Sequence, residues 1–179
     1  MRFARLWTVA GAALLLLELG FAGVAAYGGE AGHKNEAKEH GLWSRECVKS
    51  ADGKHEACFV HQFVAEMPQK AVLLEILFGY IGPDQRPRMV LTVPLGVLLP
   101  PGLRLTLDGG KPLAIPLETC TRDGCRAIVD LDDGALAKFR DGKQLVVRYV
   151  VGGGKAIELP VKLEGLNAAL KTVAPRHGS

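Results

Sequence analysis

The sequence predicts an all-β sandwich carrying one or two short helices. Two observations lead there. Short β-branched and aliphatic runs recur at close spacing, separated by Gly, Pro and Asp-Gly turn signals, with little helical periodicity. Four cysteines fall into two tight pairs, Cys47 with Cys58 and Cys120 with Cys125. An even number at such spacings reads as two local disulfides, which persist only in an oxidising compartment.

Residues 1–26 read as a secretory signal peptide. Arg2 and Arg5 form the positive start, residues 6–17 an apolar run, and Val24-Ala25-Ala26 a small-x-small site with cleavage expected after Ala26. An uncleaved anchor is the competing reading. The run is short against the ~20 apolar residues a bilayer requires, and Glu18 interrupts it. No cysteine lies near the cleavage site, so a lipoprotein anchor is not indicated. With no other long apolar run, the mature chain is not expected to span a membrane.

The full chain has 22 Lys+Arg and 19 Asp+Glu. Removing Arg2, Arg5 and Glu18 with the leader leaves 20 against 18, a net charge of +2. Such near balance, without a dense basic stripe to neutralise phosphates, argues against nucleic acid as a partner. Residues 27–41 carry Gly, Lys, Glu and His without apolar periodicity and read as a flexible polar spacer. The folded domain is expected over residues 42–173, with residues 174–179 as a tail.

Within that domain, residues 43–48 open the sheet and residues 57–66 return, with Ser50-Ala51-Asp52-Gly53 as the turn between. Cys47 and Cys58 then face each other across a hairpin. Residues 72–80 are almost continuously apolar, as for a central strand buried on both faces; a helix over 72–78 is the alternative. Residues 89–93 form a strand that Pro94 stops, and Pro100-Pro101-Gly102 sets a rigid turn. Leu103, Leu105 and Leu107 alternate with polar residues in a half-buried strand, followed by a turn and a strand at 113–117.

Cys120 and Cys125 bracket Thr-Arg-Asp-Gly, a tight turn leading into a strand at 127–131. Asp132 or Asp133 caps a short helix through Phe139, which Asp141-Gly142 ends. Residues 144–151 and 156–163 form a hairpin around Gly152-Gly153-Gly154, and residues 165–173 a last short helix. The expected core includes Val72, Leu74, Ile76, Phe78, Leu91, Val93, Leu105, Ile128, Val146 and Val161.

Several of these segments resemble the invasion-associated locus B family. They are the run Val90-Leu91-Thr92-Val93-Pro94-Leu95-Gly96-Val97-Leu98-Leu99-Pro100-Pro101-Gly102, the Cys120-Thr121-Arg122-Asp123-Gly124-Cys125 turn, and the segment 136–142 with the Leu-Val-Val strand after it. Leu159-Pro160-Val161-Lys162-Leu163-Glu164-Gly165-Leu166 and the early Trp43-x-x-x-Cys47 with Cys58 are also similar to that family. The resemblance spans roughly residues 43–170. It implies a small exported protein of Gram-negative bacteria with an immunoglobulin-like β-sandwich. It also implies a link to host-cell invasion in some members, while others occur in free-living bacteria. It brings no catalytic residues with it.

The remaining residues offer little chemistry. Cys47, His55, Cys58 and His61 are loosely zinc-like, but Cys58 and His61 point to opposite faces of a strand and the thiols pair first on export. His33 and His40 lie in the spacer, and His177 has no partner near it in sequence. Glu118, Asp123, Asp130, Asp132 and Asp133 cluster between strands, where Asp123 fits a turn and Asp132 or Asp133 a helix cap better than an acid–base pair. No G-x-S-x-G elbow or P-loop occurs, and Gly109-Gly110 lacks the spacing of a phosphate cradle. No catalytic residue, metal ligand or cofactor is therefore expected.

One segment stands out as a binding candidate: Leu95, Val97, Leu98, Leu99, Pro100 and Pro101, apolar and bounded by prolines. Either it forms an exposed patch for a partner or Val97, Leu98 and Leu99 plug one end of the sandwich, the commoner fate of such residues. The expected function is a non-enzymatic exported interaction protein, in the periplasm or at the outer surface. Its partner would be a protein of the envelope or the host surface. A periplasmic chaperone or envelope-assembly factor is the first alternative, and an enzyme with an unrecognised site the second. An exposed groove would favour the binding readings, and a deep pocket of convergent titratable groups the enzyme.

Overall fold

The computed structural model describes residues 39–40, 42–49, 56–68, 71–82 and 84–175. The expected signal peptide at 1–26, the turn at 50–53 and most of the expected tail lie outside them. Eleven strands and two helices follow in the order β1 (Glu39–His40), β2 (Trp43–Lys49), β3 (Glu56–Glu66), β4 (Ala71–Tyr80), β5 (Pro87–Val93), β6 (Leu103–Leu107), β7 (Leu113–Ile115), β8 (Thr119–Thr121), β9 (Gly124–Asp130), α1 (Asp133–Asp141), β10 (Gln144–Val150), β11 (Ala156–Lys162) and α2 (Leu166–Lys171). Two antiparallel sheets result. One has seven strands in the order β1-β2-β3-β4-β5-β9-β8, the other four in the order β11-β10-β6-β7. The all-β sandwich with two short helices is the fold of this chain.

The apolar faces of the sheets meet in one core. Leu74, Ile76 and Phe78 of β4 and Met89, Leu91 and Val93 of β5 come from the large sheet. Leu103 and Leu105 of β6, Leu145 and Val147 of β10 and Val161 of β11 come from the small one. Alternation along each strand selects these residues, since successive side chains point to opposite faces. Tyr149 of β10 ties the sheets directly: its hydroxyl donates to the Leu73 carbonyl of β4 at 3.0 Å. Burial raises the pKa of that phenol, because the interior disfavours the phenolate.

Period 2, and one break in it, explain where the sequence expectation fails. β4 is buried on one face, not two. Val72 is 48% exposed at its start, next to a register shift between Val64 and Ala65 of β3. Ile128 is 39% exposed, because its neighbour Ala127 is the inward residue of β9. Val146 is only half-buried, since Leu145 and Val147 take the core positions of β10. An apolar run reveals neither its own parity nor a bulge: Ile128 and Val146 take the outer parity, while Val72, of the same parity as the buried Leu74, lies beyond the point where the pairing skips Leu73.

Two small strands escape sequence reading. β1 lies within the expected spacer and pairs with β2, Glu39 opposite Ser44 and His40 opposite Trp43. β8, which leads into the expected turn at 121–124, is three exposed residues paired with β9. Neither has the apolar alternation that marks a strand. The helices match expectation closely. Asp132 caps α1 by accepting from the Ala135 amide at 2.6 Å, and Gly142 ends it. α2 buries Leu166, Ala169 and Leu170.

Both cysteine pairs are disulfides: Cys47–Cys58 joins β2 to β3 and Cys120–Cys125 joins β8 to β9. In each case the two residues are direct cross-strand partners with Cα atoms 4.0 Å apart. The second bond pins the short edge strand β8, which has little else to hold it. Replacing either pair by serine is expected to cost about 2–3 kcal/mol, the chain-entropy value for such short loops. Denaturant titration of the two double-serine variants measures this. A loss below half a kilocalorie in both would show that the sheets hold the strands without the staples.

Candidate functional site

The chain crosses from the large sheet to the small one between β5 and β6, at one end of the sandwich. The segment singled out in the sequence is this crossover. Val97 forms an isolated antiparallel bridge with Val151 and is buried. The Leu98 amide donates to the Val150 carbonyl at 2.8 Å, and the Gly152 amide to the Gly96 carbonyl at 2.9 Å. These bonds hold the crossover against the β10–β11 hairpin. The plug role therefore falls to Val97 alone. Leu98 and Leu99, expected to share it, are 40% and 50% exposed, and Pro100 and Pro101 are exposed too. Extended backbone at the bridge turns one side chain inward and leaves its neighbours outward.

Leu95 is 57% exposed and borders a cleft of about 460 Å³. Phe63 of β3 and Val72 of β4 form the facing apolar wall, at 53% and 48% exposure. Arg122 and Asp123 of the β8–β9 turn close one side, and Glu75 and Thr92 lie on the sheet floor. The floor follows from register: Phe63 pairs with Glu75, and Glu75 with Thr92. Phe63 and Val72 were not legible as surface residues in the sequence. Apolar side chains occupy both parities of β3, so only the pairing shows which set faces out.

The other candidates resolve one by one. His61 lies on the outer face of the large sheet, edge-on to Phe59 and Phe63 at ring separations of 5.9 and 5.0 Å. Its Nε2 is 3.8 Å from Glu46 and its Nδ1 3.6 Å from Glu75. The two carboxylates address opposite sides of the ring, so no single ion can take all three groups as ligands. Cys47, Glu56 and Cys58 bring three ligand-type atoms together, but both sulfurs are spent on the disulfide. His55, His33 and His177 lie outside the described residues.

Among the acids, Asp132 is the α1 cap and Asp130 accepts from Arg88 Nε at 2.6 Å. Arg88 also donates to both carboxylate oxygens of Asp84, at 2.7 and 2.8 Å, and to the Ile81 carbonyl. That guanidinium lowers the Asp84 pKa below the usual carboxylate range. It locks the β4–β5 connection and leaves no free acid–base pair there.

What these residues make is a disulfide-stapled β-sandwich with an exposed apolar cleft at the sheet crossover. The chain matches the family model described as "Invasion associated locus B (IalB) protein" over residues 43–174. It belongs to the invasion-associated locus B family. It is 31% identical over 144 residues to "Invasion protein B" of Bartonella bacilliformis, covering 78% of this chain and 75% of that protein. Among solved structures, it is similar to invasion associated protein B from Bartonella henselae. That match has a TM-score of 0.65 and 29% identity, and covers 76% of this chain and 92% of the other. The two disulfides and these relatives mark an exported protein. No helix among the described residues is long and apolar enough to cross a membrane.

Proposed function

We propose that this protein is a non-enzymatic interaction module of the bacterial envelope. It would be released into the periplasm or to the outer surface after cleavage near Ala26, and would contribute to host-cell association. The observation that carries the reading is the convergence of Phe63, Val72 and Leu95, each about half exposed, on one cleft. Apolar side chains grouped on a surface mark a protein-binding site more often than scattered ones do. Arg122, Asp123 and Glu75 on the rim supply charges of both signs, as a polar interface rim does. The names of the relatives, an invasion protein and an invasion associated protein, favour a host-directed partner.

The sheet edges are poorer candidates for capturing a partner strand. β8 is three residues long and stapled, and β11 carries Pro160, which cannot donate to an added strand. The cleft side chains are therefore the expected contact. A photo-crosslinking residue at position 95, in cells making the protein, should give one discrete adduct. Leu98→Asp and Phe63→Asp separate the crossover tip from the cleft. Both side chains are exposed, so both variants should melt within a few degrees of wild type. Phe63→Asp should abolish the adduct. A ladder of many adducts would favour the chaperone reading, and an adduct indifferent to Phe63→Asp would remove the cleft from consideration.

A further inference from the structure

A second opening lies toward the other end of β5, where the sheets part beneath α1. Its volume is about 330 Å³. Leu107 of β6, Val129 of β9 and Ala135 of α1, each half-buried, form its apolar lining, with the core residues Met89, Leu105 and Leu145 closed off beneath at no more than 3% exposure. Phe139 of α1 and Leu113 of β7 form the lips. The cause is the shortness of β7: three residues at the edge of the small sheet do not reach far enough to close the gap to β9 and α1. Leu113 consequently stands 57% exposed.

The mouth is basic. Lys111, in the β6–β7 connection, and Lys138, in α1, both border it. Neither is in an ion pair among the described residues. Asp130 also borders the opening, but its carboxylate is held by Arg88 Nε at 2.6 Å, which offsets its charge. An apolar groove bordered by two lysines outside any ion pair among the described residues is complementary to a ligand with a hydrocarbon body and an anionic head.

We propose that this groove binds a single-chain, medium-length fatty acid, its hydrocarbon tail on Leu107, Leu113, Val129 and Phe139 and its carboxylate at Lys111 and Lys138. The volume admits one chain, which excludes a two-chained phospholipid. The site is independent of the Leu95 cleft, so the two readings stand or fall separately.

The probes are sodium decanoate and 1-decanol, titrated by calorimetry into the purified exported protein below the micellar concentration. Decanoate is expected to bind saturably, one per protein. Methyl NMR shifts should centre on Leu107, Leu113 and Val129 rather than on Val72 and Leu95. The double variant Lys111→Gln/Lys138→Gln should weaken decanoate about tenfold and leave 1-decanol unchanged, as loss of charged hydrogen bonds to the head requires. Ala135→Phe, on the α1 wall, should block both probes. If that variant fails to fold, the lysine pair and the shift map decide. Absence of saturable heat, shifts elsewhere, or decanoate binding indifferent to the lysines would each overturn the proposal.

Discussion

Replacing Trp43 by alanine is expected to destabilise the domain by about 3–5 kcal/mol, the usual cost of deleting a buried aromatic side chain. Trp43 has no exposed surface. Its ring meets Phe78 edge-on at 5.6 Å, and Phe78 in turn meets Phe139 at 5.4 Å. One aromatic chain thus links β2, β4 and α1, and such pairs add to the area they bury. β2 also carries Cys47, so the same residue seats the strand that the first disulfide joins. With a total stability of order 5–15 kcal/mol, the variant should sit near the edge of folding. Chemical denaturation of wild type, Trp43→Phe and Trp43→Ala is the measurement, with phenylalanine expected to recover over half of the stability that alanine loses. A cost under ~1 kcal/mol for alanine would mean that β2 and its covering helix contribute little to the cooperative unit.

The fold was legible in the sequence wherever the chain announces itself through turns. Asp132 and Gly142 bracket α1, Gly152-Gly153-Gly154 sets the last hairpin, and Pro94 stops β5. The cysteines were legible because partners five and eleven residues apart fit directly across a hairpin. Parity was not legible in runs with apolar residues at both odd and even positions. Ile128 and Val146 therefore changed faces, and Val72 did so because the β3–β4 register shifts beside it. The candidate site was legible in half. The crossover announced itself by its prolines, and the structure leaves Leu95, Leu98 and Leu99 exposed and only Val97 buried. The other wall, Phe63 and Val72, comes from strands far away in sequence and depends on the pairing of β3 with β4. Non-local register of that kind is set by the whole sheet rather than by any local pattern.

Gly124→Ala is the second change expected to have a large effect, and it reaches the cleft as well as the fold. Gly124 has φ +134°, a backbone state that L side chains rarely adopt, and a Cβ there would run into the Val93 carbonyl oxygen. Conformational strain and backbone collision add, for a cost of about 2–4 kcal/mol. Gly109→Ala is the control that separates the two causes. It also has positive φ, +71°, but open space around the position, so it should cost only about 1–2 kcal/mol. The structural consequence follows from place. Gly124 lies beside Arg122 and Asp123 in the β8–β9 turn, Val93 leads directly to Pro94 and Leu95, and all of them border the cleft. Pushing Gly124 away from Val93 therefore moves one cleft wall against the other. Crosslinking from position 95 should fall in Gly124→Ala even at temperatures where the variant remains folded, and should persist in Gly109→Ala. Equal destabilisation by the two substitutions would show that φ strain alone matters. Undiminished crosslinking in folded Gly124→Ala would show that the β8–β9 turn does not shape the binding surface.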